Sequence, residues 1–217
     1  MWACVGGVEK RLLKTTSPPS PHCSGNPNSG VPAPHTGVVA DALLRAPIVG
    51  LLFKAIGCYS ASKPSVMRLL ARSSVGIIPE GIAGIFHGAK PGRERVFLKA
   101  RKGFIKAAIQ AGVDLVPVYH FHSALLTPVS LVSDATARRL RAAIIWPAGV
   151  AGLPVPRASE PVLSAVGDAV RVTQDDNPSA ETVDEVHARF VASLQAAFDG
   201  HKHLAGPAYA KKELEVV

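Results

Sequence analysis

The sequence has 217 residues and a formal net charge of +8, which is enough chain for one domain with a sizeable core. Aromatic residues make up 6% of it, and it contains no RNA-recognition or zinc-finger pattern. The positive charge therefore predicts an anionic membrane surface or anionic small substrates as partners, and no nucleic acid. Three widely spaced cysteines argue against a disulfide framework and a zinc site.

The N-terminal part differs in composition from the rest of the chain. Residues 15–37 are dense in proline, serine, glycine and asparagine, a composition that buries too little surface to offset chain entropy. We therefore predict a disordered or linker segment over residues 1–37 and one folded domain over residues 38–217.

Apolar residues recur at helical spacing between Val38 and Gly57, with Arg45 and Lys54 as sparse charges. One interpretation is a core helix, and the other is a helix that lies on a membrane face. No apolar run reaches the roughly 18 residues that span a bilayer. Further along, Pro64 is typical of a first helical turn, and Ser62 is the expected N-cap.

The centre of the chain alternates strand and helix patterns. Val75 to Ile78 reads as a buried strand that Pro79 ends, and Val96 to Leu98 reads as a short strand. A helix from Phe104 to Ala111 and a strand from Leu115 to Phe121 follow. A strand, a helix and a second strand form a crossover unit, so we predict an α/β fold whose central sheet is mostly parallel and flanked by helices.

The last third ends in an amphipathic helix. Residues 161–172 alternate like a pair of strands, and Asn177 with Pro178 is the expected N-cap and first helical residue. The helix is predicted to end at Gly200, and the polar tail after His203 is expected to fray. Its apolar stripe comprises Val183, Val186, Phe190, Leu194 and Phe198.

Two local patterns are candidates for a binding site. Glu80 stands in a Pro79-Glu80-Gly81 turn directly after a buried strand, where open α/β sheets place their sites. Lys99, Arg101 and Lys102 precede Gly103 and a helix N-terminus, where free N–H groups favour a phosphate. Each pattern alone is most often structural: the first is usually a simple turn, and the second is usually a solvated charged surface. The prediction of a binding site therefore rests on their occurrence together.

The histidines give a weaker signal. His120 and His122 end a predicted strand, and we expect neighbouring groups to satisfy their hydrogen bonds. His87 lies in a loop, and His201 and His203 lie near a helix end, where a cation suits the dipole. The spacings predict no metal site.

Three blocks of sequence carry a family resemblance. Residues 75–83, 98–106 and 111–119 resemble the type-2 diacylglycerol acyltransferase family in order and in spacing. The resemblance extends over residues 41–217, and the Pro79-Glu80-Gly81 turn is similar to the acceptor-binding block of the wider glycerolipid acyltransferase superfamily. The N-terminal segment lies outside it.

The resemblance implies transfer of a fatty acyl group from acyl-CoA to a glycerolipid hydroxyl, most often that of diacylglycerol. Acyl-CoA would be a co-substrate with no bound cofactor, and basic side chains would hold its phosphates. It also implies a place on the cytosolic face of the endoplasmic reticulum membrane or on a lipid droplet. The substrate-binding residues would be Pro79, Glu80, Gly81, Lys99, Arg101, Lys102 and Gly103.

The family's base is a histidine in a His-Pro-His-Gly or Glu-Pro-His-Ser motif, where it takes the hydroxyl proton. The nearest match here is Ala33-Pro34-His35-Thr36, which makes His35 the candidate catalytic residue. The family's N-terminal membrane hairpin has no counterpart, and its usual glycine is replaced by His122. The chain is therefore interpreted as truncated or rearranged, and a catalytically inactive homologue that binds membrane or lipid is the alternative.

Overall fold

The computed structural model describes residues 2–6, 36–45, 49–81, 93–122 and 162–217. The strands in these ranges are β1 Trp2–Gly6, β2 Thr36–Val39, β3 Cys58–Ser60, β4 Val75–Ile77, β5 Arg93–Val96, β6 Asp114–Phe121, β7 Leu163–Val166 and β8 Glu213–Val216. The helices are α1 Asp41–Arg45, α2 Val49–Ala55, α3 Lys63–Leu70, α4 Gly103–Ala111, α5 Ala180–His201 and α6 Pro207–Ala210, with a 3-10 turn at Lys202–Ala205.

Six strands form the main sheet, in the order β3-β2-β4-β1-β6-β7. β2 pairs in parallel with β3 and with β4. β1 is antiparallel to β4 and to β6, so β4 and β6 run in the same direction on either side of it. β7 is antiparallel to β6. The predicted α/β class is confirmed, and the sheet is mixed because β1 and β7 oppose the other four strands.

The core lies between β6 and the helices α4 and α5. Along β6 the side chains alternate between buried and half-buried, which is the period of a strand with one covered face. Phe121 stacks on Phe198 of α5 with ring centroids 5.3 Å apart, and Phe104 of α4 meets Phe190 edge-on at 5.1 Å. All five residues of the predicted α5 stripe are buried. Each such phenylalanine contributes about 1.5–3 kcal/mol through burial.

Helix α4 ends where its sequence predicts. Gly112 has a φ of +63°, and its N–H donates to the Ile109 carbonyl at 3.1 Å. A Cβ at this position would lie 2.8 Å from the Cβ of Gln174. Glycine is therefore required both by the left-handed backbone and by the close approach of the neighbouring segment.

The predicted crossover unit is wrong in its first strand. β5 spans residues 93–96 and belongs to a separate two-stranded sheet, where it pairs in parallel with β8. Arg95 and Glu215 reinforce this pairing with an ion pair of 2.9 Å. The N–H groups of Leu98 and Lys99 both donate to the Val217 oxygen at 2.9 Å. The tail that was predicted to fray thus ends in a strand and holds the segment that leads to α4.

Two local predictions in the last third are also corrected. Residues 161–172 do not pair with themselves: β7 pairs with β6, and Val170 bridges Leu115. The N-cap of α5 is Ser179, whose Oγ accepts the Thr182 N–H at 3.1 Å. Asn177 lies before the helix, where its N–H donates to the Asp175 carboxylate.

The N-terminal part contributes strands at both ends of the segment predicted to be disordered. Residues 2–6 form β1, with Ala3 opposite Ile77 on one side and opposite Pro117 on the other. Residues 36–37 belong to β2, and the residues between these two pieces lie outside the described part. The division of the chain at residue 38 stays a prediction.

Helix α2 carries an exposed apolar surface. Leu51 is 71% exposed and Leu52 is 62% exposed, and Ile56 and Tyr59 follow them at the surface. These exposures contradict the interpretation of this segment as a core helix. Among the described residues, no helix combines the length and apolar character that crossing a membrane requires.

Candidate functional site

The turn after β4 buries an acidic side chain. Glu80 is 8% exposed, and Pro79 beside it is also buried. The Gly81 N–H donates to the Ile78 carbonyl at 3.2 Å, and Gly81 has a φ of +58°. The predicted turn is therefore present, and glycine allows its left-handed backbone at no steric cost.

The Glu80 carboxyl is hydrogen-bonded to Phe97, the residue that follows β5. Burial raises the pKa of its carboxyl, while a hydrogen bond from the Phe97 N–H acts in the opposite direction. Phe97 follows β5 directly and precedes the basic turn. The carboxyl of the acidic turn therefore binds the backbone only two residues before the basic turn begins at Lys99, although the two turns lie about 20 residues apart in sequence.

The basic turn lies beside this junction. The Arg101 guanidinium carbon is 5.5 Å from the centroid of the Phe97 ring, a cation–π contact. The Arg101 N–H donates to the Leu98 carbonyl at 2.8 Å and closes the turn. Lys99 and Arg101 are both exposed, so their charges face solvent.

Lys102 and Gly103 begin helix α4. Lys102 occupies the N-cap position without a capping hydrogen bond from its side chain. Its Nζ lies 2.6 Å from the Asp184 carboxylate of α5, so part of its charge is already neutralised. Gly103 is exposed, and a Cβ there would contact nothing within 4 Å. The start of α4 thus has open space at Gly103 and directly follows the exposed Lys99 and Arg101 in the chain, an arrangement that favours an anion.

A second buried polar group was missed from the sequence. The Glu94 carboxylate accepts a hydrogen bond from the Tyr119 hydroxyl at 3.0 Å and lies 2.6 Å from the Lys212 Nζ. Burial, followed by the Glu94 charge, raises the pKa of Tyr119, and Glu80 adds to this effect. Strand alternation places Tyr119 on the buried face with Phe121, which signals that its hydroxyl needs an acceptor. Nothing local in the sequence identifies that acceptor as Glu94.

His120 and His122, at the end of β6, have different hydrogen-bond partners. His120 Nδ1 lies 2.8 Å from the Ser164 hydroxyl, and burial lowers the pKa of His120 to about 4. His122 is the residue beyond the strand, and its φ is +62°. Its Nε2 lies 3.0 Å from the Ala205 carbonyl oxygen. The left-handed backbone at His122 explains why glycine suits this position.

His35, the candidate base, lies outside the described residues, so its role stays a prediction. No cluster of metal-binding side chains occurs within the described ranges. The structure thus brings together Glu80, Arg101 and the start of α4.

Comparison with known proteins identifies the chain's relatives. A family model described as diacylglycerol acyltransferase matches residues 35–216. The chain belongs to the diacylglycerol acyltransferase family. The resemblance to the type-2 members, which the three sequence blocks predicted, is confirmed. No solved structure matches the chain.

Three curated relatives show how much of this acyltransferase family's sequence the chain covers. Diacylglycerol O-acyltransferase 2 of Xenopus tropicalis is 29% identical in an alignment of 192 residues that covers 80% of this chain and 52% of the relative. Acyl-CoA wax alcohol acyltransferase 2 of Mus musculus is 28% identical in an alignment of 163 residues that covers 67% of this chain and 49% of the relative. 2-Acylglycerol O-acyltransferase 1 of Bos taurus is 29% identical in an alignment of 175 residues that covers 73% of this chain and 52% of the relative. The chain spans about half the length of these relatives.

Proposed function

We propose that the chain transfers a fatty acyl group from acyl-CoA to a glycerolipid hydroxyl, converting diacylglycerol to triacylglycerol. Family membership supports this reaction, and so do the activities that the names of the matched relatives state. The observation that carries the proposal is the Phe97 junction, where a buried carboxyl meets an exposed basic turn at a helix N-terminus.

Within this proposal the basic turn holds the phosphates of CoA. Lys99 and Arg101 supply charge, and Gly103 leaves the first N–H groups of α4 open to an oxygen ligand. Lys102 contributes less because Asp184 competes for its ammonium group. The Pro79-Glu80-Gly81 turn is assigned to the acceptor, whose hydroxyl the Glu80 carboxyl can orient.

A base must take the proton of the attacking hydroxyl, and His35 is the candidate that the sequence offers for this step. The exposed surface formed by Leu51 and Leu52 of α2 and by Ile56 directly after it is assigned to the membrane. Lys54 of the same helix would lie near anionic headgroups. This orientation fits the cytosolic face of the endoplasmic reticulum or a lipid droplet.

The assay uses membranes that contain the expressed chain, labelled acyl-CoA and diacylglycerol, with labelled triacylglycerol as the readout. Arg101→Ala is expected to raise the KM for acyl-CoA about three- to tenfold, the loss of one charge-assisted contact of about 1 kcal/mol. Arg68→Ala is the matched control, because Arg68 is an exposed arginine on α3. Equal KM values for the two variants would contradict the assignment of the CoA site.

The alternative function is that of an inactive homologue that binds membrane or lipid through the same surface. The exposed apolar residues of α2 favour membrane binding under either function. Membrane-bound, folded protein that forms no triacylglycerol would support the alternative and contradict acyl transfer.

A further inference from the structure

The backbone of the basic turn is held by the C-terminal strand. The N–H groups of Leu98 and Lys99 both donate to the Val217 oxygen at 2.9 Å. The Val217 N–H donates in turn to the Val96 carbonyl at 2.9 Å. These bonds extend the contact between β5 and β8 beyond their last paired residues and up to the first residue of the turn. The position of the turn therefore depends on a strand that lies outside the main sheet.

Two cations of this turn are open to a ligand. Within the described ranges, neither Lys99 nor Arg101 forms an ion pair, and both side chains are exposed. Lys102, in contrast, is already paired with Asp184. The Arg101 N–H donates to the Leu98 carbonyl, so the backbone of Arg101 also depends on the residue that Val217 holds. The direction in which both free cations point is thus tied to β8.

An ion pair and a buried leucine fix the register of β8 against β5. Arg95 lies directly opposite Glu215 in the ladder, and its Nε is 2.9 Å from the Glu215 carboxylate. Leu214, beside Glu215, is buried, so a shift of one residue would turn an apolar side chain to solvent. The same shift would move the Val217 oxygen by about 3.3 Å and break both of its bonds to the turn.

The second acidic residue of β8 lacks this contact. Glu213 lies opposite Arg93, both side chains are exposed, and neither forms an ion pair in the part of the chain that the structure describes. Glu213 and Glu215 therefore carry the same charge, two residues apart on one strand, and differ in their contact with β5. This difference separates the effect of charge from the effect of position.

We propose that β8 positions the basic turn for the phosphate groups of CoA, with Glu215 as the positioning residue, an inference that rests on the proposed function. Glu215 does not touch the ligand in this role. It keeps β8 in register, and the Val217 oxygen then holds the backbone so that Lys99 and Arg101 face a phosphate together. A carboxylate near a phosphate site repels the ligand, so any benefit of Glu215 to binding comes from its contact with Arg95.

The deciding variant is Glu215→Arg in the full chain. If electrostatic attraction alone governed binding, a cation in place of a carboxylate would tighten the binding of CoA. If Glu215 positions the turn, binding should instead weaken about three- to tenfold, because two arginines then face each other across the ladder. Calorimetric titration of CoA at low salt measures the dissociation constant.

Two further variants serve as controls. Glu213→Arg makes the same charge change on the same strand, and it should bind CoA at least as tightly as the unsubstituted chain. Arg95→Glu combined with Glu215→Arg exchanges the partners of the ion pair and keeps the net charge. This exchanged pair should recover most of the affinity that Glu215→Arg loses.

Amide hydrogen exchange, read by mass spectrometry, follows the turn without a ligand. The peptide that contains Leu98 and Lys99 should exchange faster in Glu215→Arg than in the unsubstituted chain. The Leu115 amide of β6, which donates to the Val170 carbonyl at 3.1 Å, should stay protected in both. The exchanged pair should return the turn to its original protection.

Three results would overturn the positioning role. The first is a Glu215→Arg chain that binds CoA as tightly as the unsubstituted chain, or more tightly. The second is unchanged hydrogen exchange at Leu98 and Lys99 in that variant. The third is a folded exchanged pair that binds CoA as weakly as Glu215→Arg, and this result also decides the matter if the single variant does not fold.

Failure of the proposed function gives a different result. If the unsubstituted chain binds no CoA, the CoA site itself is wrong and the role of Glu215 falls with it. A chain that binds CoA but does not respond to Glu215→Arg keeps the proposed site and loses only the positioning role of β8.

Discussion

The Tyr119 hydroxyl donates a hydrogen bond of 3.0 Å to the Glu94 carboxylate, and this bond joins the main sheet to the two-stranded sheet. The same carboxylate lies 2.6 Å from the Lys212 ammonium, which lies in turn 4.1 Å from the Tyr209 ring centroid. A buried charge is thus matched by one cation and one neutral donor, a balance that a single substitution can break.

Lys212→Met is expected to lower the free energy of unfolding by about 2–4 kcal/mol, because it leaves Glu94 charged and buried without its cation. Chemical denaturation measures the loss. Lys211→Met, at the exposed neighbouring position, should change stability by less than about 0.5 kcal/mol. Adding Glu94→Gln to Lys212→Met should recover part of the loss, and a strictly additive double variant would contradict the coupling.

Asp184→Asn is expected to tighten CoA binding about two- to threefold, because it frees the Lys102 ammonium from a contact of 2.6 Å. Calorimetric titration of CoA into the chain at low salt measures the change. Asp199→Asn removes an exposed carboxylate from the far end of α5 and should leave the affinity unchanged. Weaker binding by Asp184→Asn would show that the ion pair positions Lys102 instead of competing for it.

The burial of His120 predicts that its contribution to the stability of the fold decreases at acidic pH. Its pKa is lowered from 6.5 to about 4 in the folded chain, so the unfolded chain binds the proton more readily between these values. Its contribution to stability is therefore present above pH 6.5 and is lost as pH falls toward 4. Glu80, whose pKa is raised, acts in the opposite direction. His120→Gln should lose less stability than the unsubstituted chain over this range in urea titrations, and parallel curves would contradict the assignment.

Gly112→Ala is expected to destabilise the chain by about 2–3 kcal/mol, since it combines left-handed strain with a Cβ 2.8 Å from Gln174. Gly200→Ala is the matched control, because Gly200 lies in helix α5 with no atom near its added Cβ. That variant should gain up to about 1 kcal/mol from helix propensity. Thermal unfolding measures the stability of both variants. A Gly112→Ala chain more stable than the Gly200→Ala chain would contradict this prediction.

Leu51→Ser with Leu52→Ser is expected to weaken binding to vesicles that contain anionic lipid, because it removes the most exposed apolar side chains of α2. Vesicle sedimentation measures bound protein. The double variant should keep its thermal stability, since neither side chain is buried. A Leu69→Ser and Leu70→Ser pair on α3 is the control that should unfold the chain instead, because Leu70 belongs to the core. Unchanged vesicle binding by the α2 variant would show that a different surface of the chain contacts the membrane.

Helices α4 and α5 and strands β4 and β6 were predictable because each is specified by its own residues. Helix α4 combines a 3.6-residue apolar period with Gly112 at its end, and β6 shows strand-length alternation around Tyr119. The turns at Glu80 and at Arg101 were predictable for the same reason. Their connection through Phe97 was not predictable, because it depends on β5, which belongs to the two-stranded sheet and not to the predicted crossover unit.

The missed features all depend on partners far along the chain. Arg93 to Arg95 reads as a polar loop before the short strand predicted over Val96 to Leu98, until β8 supplies its ladder about 120 residues later. Glu94 became part of the site because Tyr119 and Lys212 reach it, and neither contact has a local sequence signal. The Ala205 carbonyl accepts a hydrogen bond from His122, as expected, but the left-handed backbone of His122 was missed because backbone handedness is invisible in a side-chain pattern.

The pairing of β5 with β8 has a consequence for biosynthesis. The turn that carries Lys99 and Arg101 is tied through Leu98 and Lys99 to the Val217 oxygen, more than a hundred residues downstream. A growing polypeptide that has reached α4 already contains the basic residues, but it lacks the strand that fixes their spacing. The turn that is proposed to bind CoA therefore takes its final shape late, after residues 213–217 have been synthesised.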